Sequence, residues 1–316
     1  MRFKSHNYSS SRQSPCFHPY ERKYRESLYS NMFIQDFTLG FSYDLAPNDL
    51  HVEMRKNFYR INPEDDALKR LILCKYNSFF DYEFDKLLSR IMYCLLVNGR
   101  TYLEIVSLKD KENTVHGIEF VCIPARPPRA RSNTYDFTVK NYKEKVVHFS
   151  VDRNRLVIFD LKDLGYHRNF FRKMINHLSI FDATNAAELM LDSTMKDIFD
   201  FEKYQKSMDY KLLKDTHSIH WLGRDYSNQY LSESYHLYRQ MQYKVLRYKF
   251  LQYILHQINV GLSHFKTEWG FSGEISTSVS LPPYEDLLIQ YNKGEINSST
   301  LCDIVLQNLT PEKNNS

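Results

Sequence analysis

The hydrophobic period changes twice along this chain, and these changes constrain the fold more than any single motif does. Between residues 83 and 97, apolar side chains recur at spacings of three and four, which predicts an amphipathic helix. Asn98-Gly99 then predicts its end, because glycine readily adopts the left-handed conformation. Apolar and polar residues alternate from 101 to 161, and helical spacing returns after Gly165. The pattern predicts a mainly helical α+β fold in which a small, mostly antiparallel sheet precedes long helices.

The elements expected from this pattern are short strands followed by longer helices. About five strands are predicted, at 101–106, 118–123, 135–139, 145–151 and 156–161. Helices are predicted near 168–192, 194–213, 230–260, 284–292 and 298–306, with a strand inside 267–282. Alternation of Phe37, Leu39, Phe41 and Tyr43 predicts one further strand near the N-terminus.

The changes in composition and period divide the chain into four predicted segments. We expect a flexible basic arm at 1–30, an α+β domain at 31–165, a long-helix region at 166–265, and a strand with short helices at 266–316. The arm holds six basic and two acidic groups, and the remaining residues carry 36 of each sign. The whole net charge of +4 is therefore concentrated in the arm.

Composition excludes several classes of protein. A charge-balanced body does not suit a protein that grips DNA over a whole face. At 42% hydrophobic and 15% aromatic residues, the chain is not disordered overall. Its longest apolar run, 91–97, has seven residues, far short of the roughly 20 that span a bilayer. We expect no membrane partner and no secretory signal, and the five scattered cysteines fit a reducing compartment.

No complete motif for enzymatic chemistry is present. The sequence lacks GxxxxGK[ST], GxSxG, HExxH, GxGxxG and paired CxxC, so it predicts no nucleotide cofactor and no zinc ribbon. His217, His220 and Asp215 offer a weak metal constellation, which we interpret as ordinary polar residues. We therefore expect no enzyme, no cofactor and no metal.

Two alternatives to a purely structural role are open from the residues alone. Asp160 and Lys162 follow a predicted strand, and with Asp152 they resemble half of a Mg²⁺-dependent nuclease site. A nucleic-acid-binding accessory protein is the other alternative, with contacts in the basic arm at 1–30 and on helix 230–260, where arginines and lysines alternate with aromatic residues. The candidate DNA contacts share a positive charge and lie in two segments: Arg126, Arg129 and Arg131, and Arg239, Lys244, Arg247 and Lys249.

The order of these elements resembles the portal proteins of tailed bacteriophages. Leu95-Leu96-Val97-Asn98-Gly99 runs into Thr101-Tyr102-Leu103-Glu104-Ile105, like the leucine-rich helix end, "NG" and strand of that family. A charged turn, a strand reaching Pro124, and Leu156-Val157-Ile158-Phe159 follow in the same order. Lys293-Gly294-Glu295-Ile296-Asn297 and Leu309-Thr310-Pro311 are similar to the family's C-terminal turn and closing motif.

The resemblance, which covers roughly residues 80–310, implies a non-enzymatic ring subunit. It implies a homo-oligomer, a dodecamer in that family, at one vertex of a viral capsid, with a channel through which double-stranded DNA is packaged and ejected. The implied partners are the major capsid protein, the terminase and the neck or tail proteins. The implied location is the virion, after assembly in the host cytoplasm. The sheet would form the wing, and the long helices the stem and the approach to the crown.

Overall fold

The computed structural model describes residues 17–18, 21–44, 58–76, 80–110, 112, 114–141, 146–179, 210, 212–223, 233–277 and 284–301. The chain forms a mixed α+β fold that is mainly helical, and all the strand pairs described are antiparallel. The fold class predicted from the sequence is confirmed.

Most of the strands described follow one another closely between residues 100 and 160. The strands are β1 Phe17–His18, β2 Tyr59–Asn62, β3 Arg100–Lys109, β4 Val115–Ile123, β5 Arg129–Ala130, β6 Thr134–Asn141, β7 Val146–Asp152, β8 Leu156–Asp160 and β9 Glu274–Thr277.

In sequence, the helices lie before residue 100 and after residue 160. They are α1 Leu28–Thr38, α2 Phe41–Asp44, α3 Asp66–Tyr76, α4 Phe80–Asn98, α5 at 170–179, α6 Glu233–Ser263, α7 Lys266–Trp269, α8 Tyr284–Asn292 and α9, described over 298–301. Asn297 caps α9, since its side-chain oxygen accepts a hydrogen bond from the Thr300 amide at 2.8 Å. No helix of the described ranges is both long and apolar enough to cross a bilayer.

The predicted strands are present, but they form two sheets instead of one. Strands β4, β3 and β8 make one sheet in that order, and β6 pairs with β1, β5 and β7 in another. The prediction of a single sheet was wrong because alternation marks the strands without marking which of them pair. Strand β2, which the sequence did not predict, pairs with β9 in a separate two-stranded sheet.

The strand predicted at Phe37–Tyr43 is also wrong, because this segment is helical. Residues Phe33, Ile34 and Phe37 lie at helical spacing and are buried on one face of α1. Ser27 caps the helix by accepting a hydrogen bond from the Ser30 amide at 3.1 Å. The alternating residues therefore belong to the end of α1, the following turn and α2.

By compactness the chain divides into two units. The first contains 1–22, 52–169 and 251–279, and the second contains 23–51, 170–250 and 280–316. The four segments predicted from the sequence remain a prediction. The last described residues of the predicted arm make defined contacts: the Arg22 amide donates to Asn98 Oδ1 in the first unit, and the Arg25 amide donates to Asn176 Oδ1 in the second, both at 2.9 Å.

The core of the first unit lies between its two larger sheets. Side chains from β3 and β4 meet side chains from β6 and β7 in one buried cluster, which contains Tyr102, Val106, Val121, Ile123, Ala125, Phe137, Val139, Phe149 and Val151. The rings of Phe137 and Phe149 stack with centroids 5.5 Å apart. This cluster packs the two sheets against each other.

The core of the second unit is aromatic. Phe37 on α1 packs against Phe171 on α5 at 5.2 Å and against Phe250 on α6 at 5.4 Å between ring centroids. Phe33 contacts Trp221, whose indole N–H donates to Asp36 Oδ2 at 3.0 Å. Burial of these large rings stabilises each helix by about 2 kcal/mol per side chain.

Candidate nucleic-acid interface

Five arginines lie on strand β5, on the bends that flank it and on the adjoining turn after β7, at one end of the β5–β6–β7 sheet. Arg126, Arg129 and Arg131 precede β6, and Arg153 and Arg155 belong to the 3₁₀ turn between β7 and β8. We call these five residues the arginine rim. The Arg153 amide donates to the Asn133 carbonyl at 2.9 Å, and this hydrogen bond joins the two turns.

Local structure holds the rim in place. The Arg131 amide donates to the Thr134 carbonyl at 2.8 Å, and the Arg131 guanidinium forms an ion pair with Asp136. Ser150 Oγ donates to Asp136 Oδ1 at 2.7 Å; this hydrogen bond, with the pairing to Arg131, lowers the pKa of Asp136 despite opposing desolvation. The Arg153 guanidinium lies 5.6 Å from the centre of the Tyr135 ring.

A surface depression of about 540 Å³ lies beside the rim. Its lining is polar apart from one aromatic ring and comprises Ser132, Asn133, Asp152, Arg153, Asn154, Arg155, Phe265 and Glu268. Phe265 is stacked on Trp269 with centroids 4.2 Å apart. Two arginines and two carboxylates make the lining itself charge-balanced, and Arg126 and Arg129 lie outside it.

A buried carboxyl group on β3, in the other sheet, lies close to the turn that holds Arg155. Glu104 on β3 is only 7% exposed, and burial raises its pKa to about 7, with Arg155 lowering it and Asp152 raising it. This carboxyl group therefore changes its protonation near neutral pH, in contrast to an ordinary surface glutamate.

Of the four basic residues on α6 that were predicted to contact DNA, two are buried and two are more accessible. Arg239 is 1% exposed, and its Nη2 donates to the Trp221 carbonyl at 3.1 Å and to the Thr216 carbonyl at 3.4 Å. Arg247 is fully buried, donates to the Leu39 carbonyl, and lies 5.1 Å from the Phe41 ring centre. Neither guanidinium faces solvent in the folded chain, so both belong to the core of the second unit and not to a DNA surface.

The two lysines of α6 are more accessible. Lys249 is exposed and its Nζ lies 2.7 Å from Glu285 Oε1 in an ion pair, while Lys244 is half-buried. With Arg126, Arg129 and Arg131, all exposed, they are the predicted DNA contacts that solvent reaches. Arg153 and Arg155 were not among the DNA contacts predicted from the sequence. Their signal was an arginine pair in a turn between two predicted strands.

The nuclease residues are not brought together. Asp160 Oδ1 accepts from Arg168 Nε at 2.9 Å, and its Oδ2 accepts from Arg100 Nε at 2.8 Å. Burial alone would raise the pKa of Asp160, but the hydrogen bonds from Arg168 and Arg100 lower it to about 2. Two guanidinium groups thus occupy the carboxylate that would hold the metal.

The distance between Asp152 and Asp160 also argues against a nuclease site. Asp152 and Asp160 flank opposite ends of β8, which spans about 13 Å, whereas Mg²⁺ ligands all lie within about 2.1 Å of the ion. Lys162 is exposed and follows Asp160 in the next turn. Residues of the described ranges form no cluster of three or more His, Cys, Asp or Glu side chains suited to a metal.

The histidines considered as metal ligands have other surroundings. His217 and His220 lie 5.9 Å apart between ring centres, and Asp215 pairs instead with His177, Oδ2 to Nε2 at 2.9 Å. Burial, Arg239 and His217 lower the pKa of His220 to about 4, although Gln242 opposes the shift. A neutral, half-buried imidazole beside an arginine is a packing group.

Comparison with known proteins gives little to place beside this geometry. No family model matches the chain, and no curated protein matches it. The chain is similar to one in a solved structure described as "Virion of native gene transfer agent (GTA) particle", with 12% identity over 83% of this chain and 85% of that chain. The TM-score is 0.39, at which a shared fold is not established, so the match assigns no function.

Proposed function

We propose that this chain is a portal-like ring subunit of a viral particle, forming a channel for double-stranded DNA. The order and pairing of its elements is the observation that carries the proposal. Helix α4 ends at Gly99 and runs directly into β3, which pairs with β4 and β8, and helices follow as far as the long helix α6. The resemblance to portal proteins rests on this order of elements.

The α4–β3 junction is built as a rigid corner. Gly99 has φ +75°, and its amide donates to the Leu95 carbonyl at 2.9 Å. The next residue, Arg100, pairs with Asp160 at the end of β8, and Arg168 pairs with the same carboxylate. Tyr253 Oη accepts from the Asp160 amide at 2.8 Å and so adds a contact from α6. Leu95, Arg100, Arg168 and Tyr253 all make hydrogen bonds or ion pairs at this corner. A corner held in this way suits a subunit that must keep its shape in a ring.

Helix α6 supplies a long element. Its 31 residues correspond to about 46 Å, and it contains no proline and one glycine, Gly261. A Cβ at Gly261 would lie 2.4 Å from Val157 Cγ2, so this glycine permits close packing of the helix on β8. In the proposed ring, such helices would line the approach to the channel.

The proposed ring contacts are apolar. Several large hydrophobic side chains are between 44% and 68% exposed, and these are Leu28, Leu39, Tyr82, Val146, Tyr210, Val260 and Ile289. Their burial between copies would stabilise a closed ring, while the charge-balanced body would let DNA slide without holding each phosphate. We propose a dodecamer, with the major capsid protein, the terminase and neck or tail proteins as partners. The proposed location is the portal vertex of the virion, reached after assembly in the host cytoplasm.

Imaging of the purified full chain tests this proposal. Negative-stain micrographs should show rings with a central opening, and native mass spectrometry should give one dominant multiple of the 37.8 kDa subunit. A species that stays monomeric at all concentrations tested, with its fold intact by circular dichroism, would contradict the proposal.

The arginine rim favours a second candidate, a nucleic-acid-binding accessory protein. Replacing Arg129, Arg153 and Arg155 by alanine should weaken DNA binding and reduce the slope of log K against log salt by up to about 3. The matched control replaces three exposed lysines outside the rim, Lys69, Lys173 and Lys214, by alanine. Equal loss in both variants would show a general charge effect and remove the rim as a specific contact.

A further inference from the structure

Two free cysteines interact with each other in the core of the first unit. Cys94 is in the last turns of α4 and is 2% exposed, and Cys122 is near the end of β4 and is 6% exposed. The sequence separates them by 28 positions, so only the fold brings them together. Neither has a role in the proposed ring or in the arginine rim.

Strand register explains why the thiols meet. Cys122 pairs with Leu103 across the β3–β4 ladder, so its side chain lies on the same face of the sheet as Thr101 and Leu103. Helix α4 covers this face, as the 6.0 Å contact between the Phe84 and Phe120 rings shows. Cys94 is ten residues after Phe84 on that helix, near the start of β3.

The thiols share a small polar spot in an apolar core. Thr101 Oγ1 lies 3.8 Å from Cys122 Sγ, and the Cys94 thiol interacts with both Cys122 and Thr101. The hydrogen bond with Cys122 and burial hold the pKa of the Cys94 thiol well above its usual value. Cys94 is therefore protonated and unreactive while the core is closed.

We propose that Cys94 and Cys122 are an oxidisable pair that closes to a disulfide between α4 and β4. An azo oxidant such as diamide supplies the chemistry in vitro. One thiolate adds to the N=N bond, and the second thiolate attacks that sulfur, forming the S–S bond and breaking the S–N bond. The two thiols lose two electrons and two protons, and the azo group gains them to become a hydrazine.

The cross-link joins the end of α4 to the sheet beside the α4–β3 corner. It closes a loop of about 28 residues and restricts the unfolded chain, so oxidation should raise Tm. Because both sulfurs are buried, closure requires a transient opening of the core or oxidation during folding. The reduced pair is then an inert part of the core, and the oxidised pair holds the end of α4 against β4 beside the α4–β3 corner.

Oxidative refolding tests the geometry independently of access to the core. The test protein is the full chain with Cys16, Cys74 and Cys302 replaced by serine, refolded from urea with and without diamide. With diamide, the expected product is a monomer on a non-reducing gel, about 2 Da lighter than the protein refolded without diamide. It should have a higher Tm than that protein and no titratable thiol. The matched control adds Cys94→Ser, and it should lose no mass and keep its Tm.

Two outcomes overturn the proposal. One is a refolded protein that retains two free thiols in oxidant. The other is oxidation only to intermolecular disulfides or sulfur oxides, seen on non-reducing gels or by intact mass. If the serine background does not fold, peptide mapping of the oxidised wild-type chain decides the same question, since a Cys94–Cys122 cross-linked peptide is present or absent.

Discussion

Asp160 is the residue around which the corner of the first unit is organised. Its carboxylate is 8% exposed and receives two arginines, whose side chains are 30% and 33% exposed. Removing a shielded carboxylate between two cations should lower the free energy of unfolding substantially, because both guanidinium groups lose their partner together. From the sequence, Asp160 was a metal ligand only in the alternative nuclease hypothesis, since an Asp-x-Lys pattern looks the same whether a cation or two arginines face it.

Replacing Asp160 by alanine should therefore destabilise the protein by about 2–3 kcal/mol, somewhat less than for a fully buried pair. Lys162→Ala, which changes an exposed side chain two positions away, should alter stability by less than about 0.5 kcal/mol. Urea denaturation followed by tryptophan fluorescence measures both. Similar stability of the two variants would show that the arginines find other partners.

Glu104 gives the stability a predictable pH dependence. Its pKa is about 7 in the folded chain against an ordinary value of 4.5, so the native state binds more protons than the unfolded state between those pH values. The free energy of unfolding should fall as pH rises through this window, by about 3 kcal/mol in total. Asp81 acts in the same direction, because burial and Asp85 raise its pKa to about 6, despite the opposing Tyr59 amide.

Glu104→Gln should remove the contribution of Glu104 to this dependence and leave that of Asp81. The variant should match the wild type near about pH 4.5 and exceed its stability at about pH 8.5, where the buried carboxylate is fully ionised in the wild type. Glu112→Gln, in the exposed turn between β3 and β4, is the control and should follow the wild-type curve. A Glu104→Gln variant with an unchanged pH profile would place the titration elsewhere.

Element-level prediction succeeded where local signals and tertiary contacts agree. Helix α4 and its stop at Gly99 follow from apolar spacing and glycine chemistry, both of which are local. The segment at Phe37 failed because an alternating run can also be the end of a helix, and its burial depends on Phe171 and Phe250, far along the chain.

Prediction of the candidate nucleic-acid interface from the sequence was limited in the same way. Arg126, Arg129 and Arg131 were recognisable as an exposed turn, since prolines and arginines alternate there. Arg239 and Arg247 were not recognisable as buried, because the carbonyl groups that receive them belong to Trp221 and Leu39. Long-range hydrogen bonds of this kind leave no periodic signal in the helix that donates them.

The α4–β3 corner predicts different costs for two glycines with similar backbone geometry. Gly99 and Gly165 have φ of +75° and +82°, so alanine at either pays about 1–2 kcal/mol for the left-handed conformation. At Gly99 the added Cβ would also lie 2.0 Å from the Arg168 carbonyl oxygen, whereas at Gly165 nothing lies within 4 Å.

Gly99→Ala should consequently lower Tm at least twice as much as Gly165→Ala. Differential scanning calorimetry of the two variants measures the difference, and circular dichroism checks that each retains the wild-type helix content. Equal losses would mean that the chain around Arg168 moves aside at little cost, and that the corner is less rigid than its contacts indicate.

At the scale of the whole molecule, the balanced charge outside residues 1–30 and the exposed apolar side chains predict how assembly and DNA binding respond to salt. Outside residues 1–30 the chain carries equal numbers of acidic and basic groups, and its exposed side chains include several large apolar ones. Contacts between such surfaces gain their free energy from burial, which salt does not screen. DNA contacts through the arginine rim depend on phosphate neutralisation, which salt weakens strongly.

Rings should therefore persist when NaCl is raised from about 0.1 M to about 1 M, where the Debye length falls to about 3 Å. DNA binding should be lost over the same range. Light scattering after size-exclusion chromatography measures the assembly mass, and fluorescence anisotropy of a labelled duplex measures binding. The triple variant Arg129→Ala, Arg153→Ala and Arg155→Ala should assemble like the wild type while binding DNA less tightly. Rings that dissociate in salt, or that fail to form in this variant, would place ionic contacts in the subunit interface and contradict an apolar one.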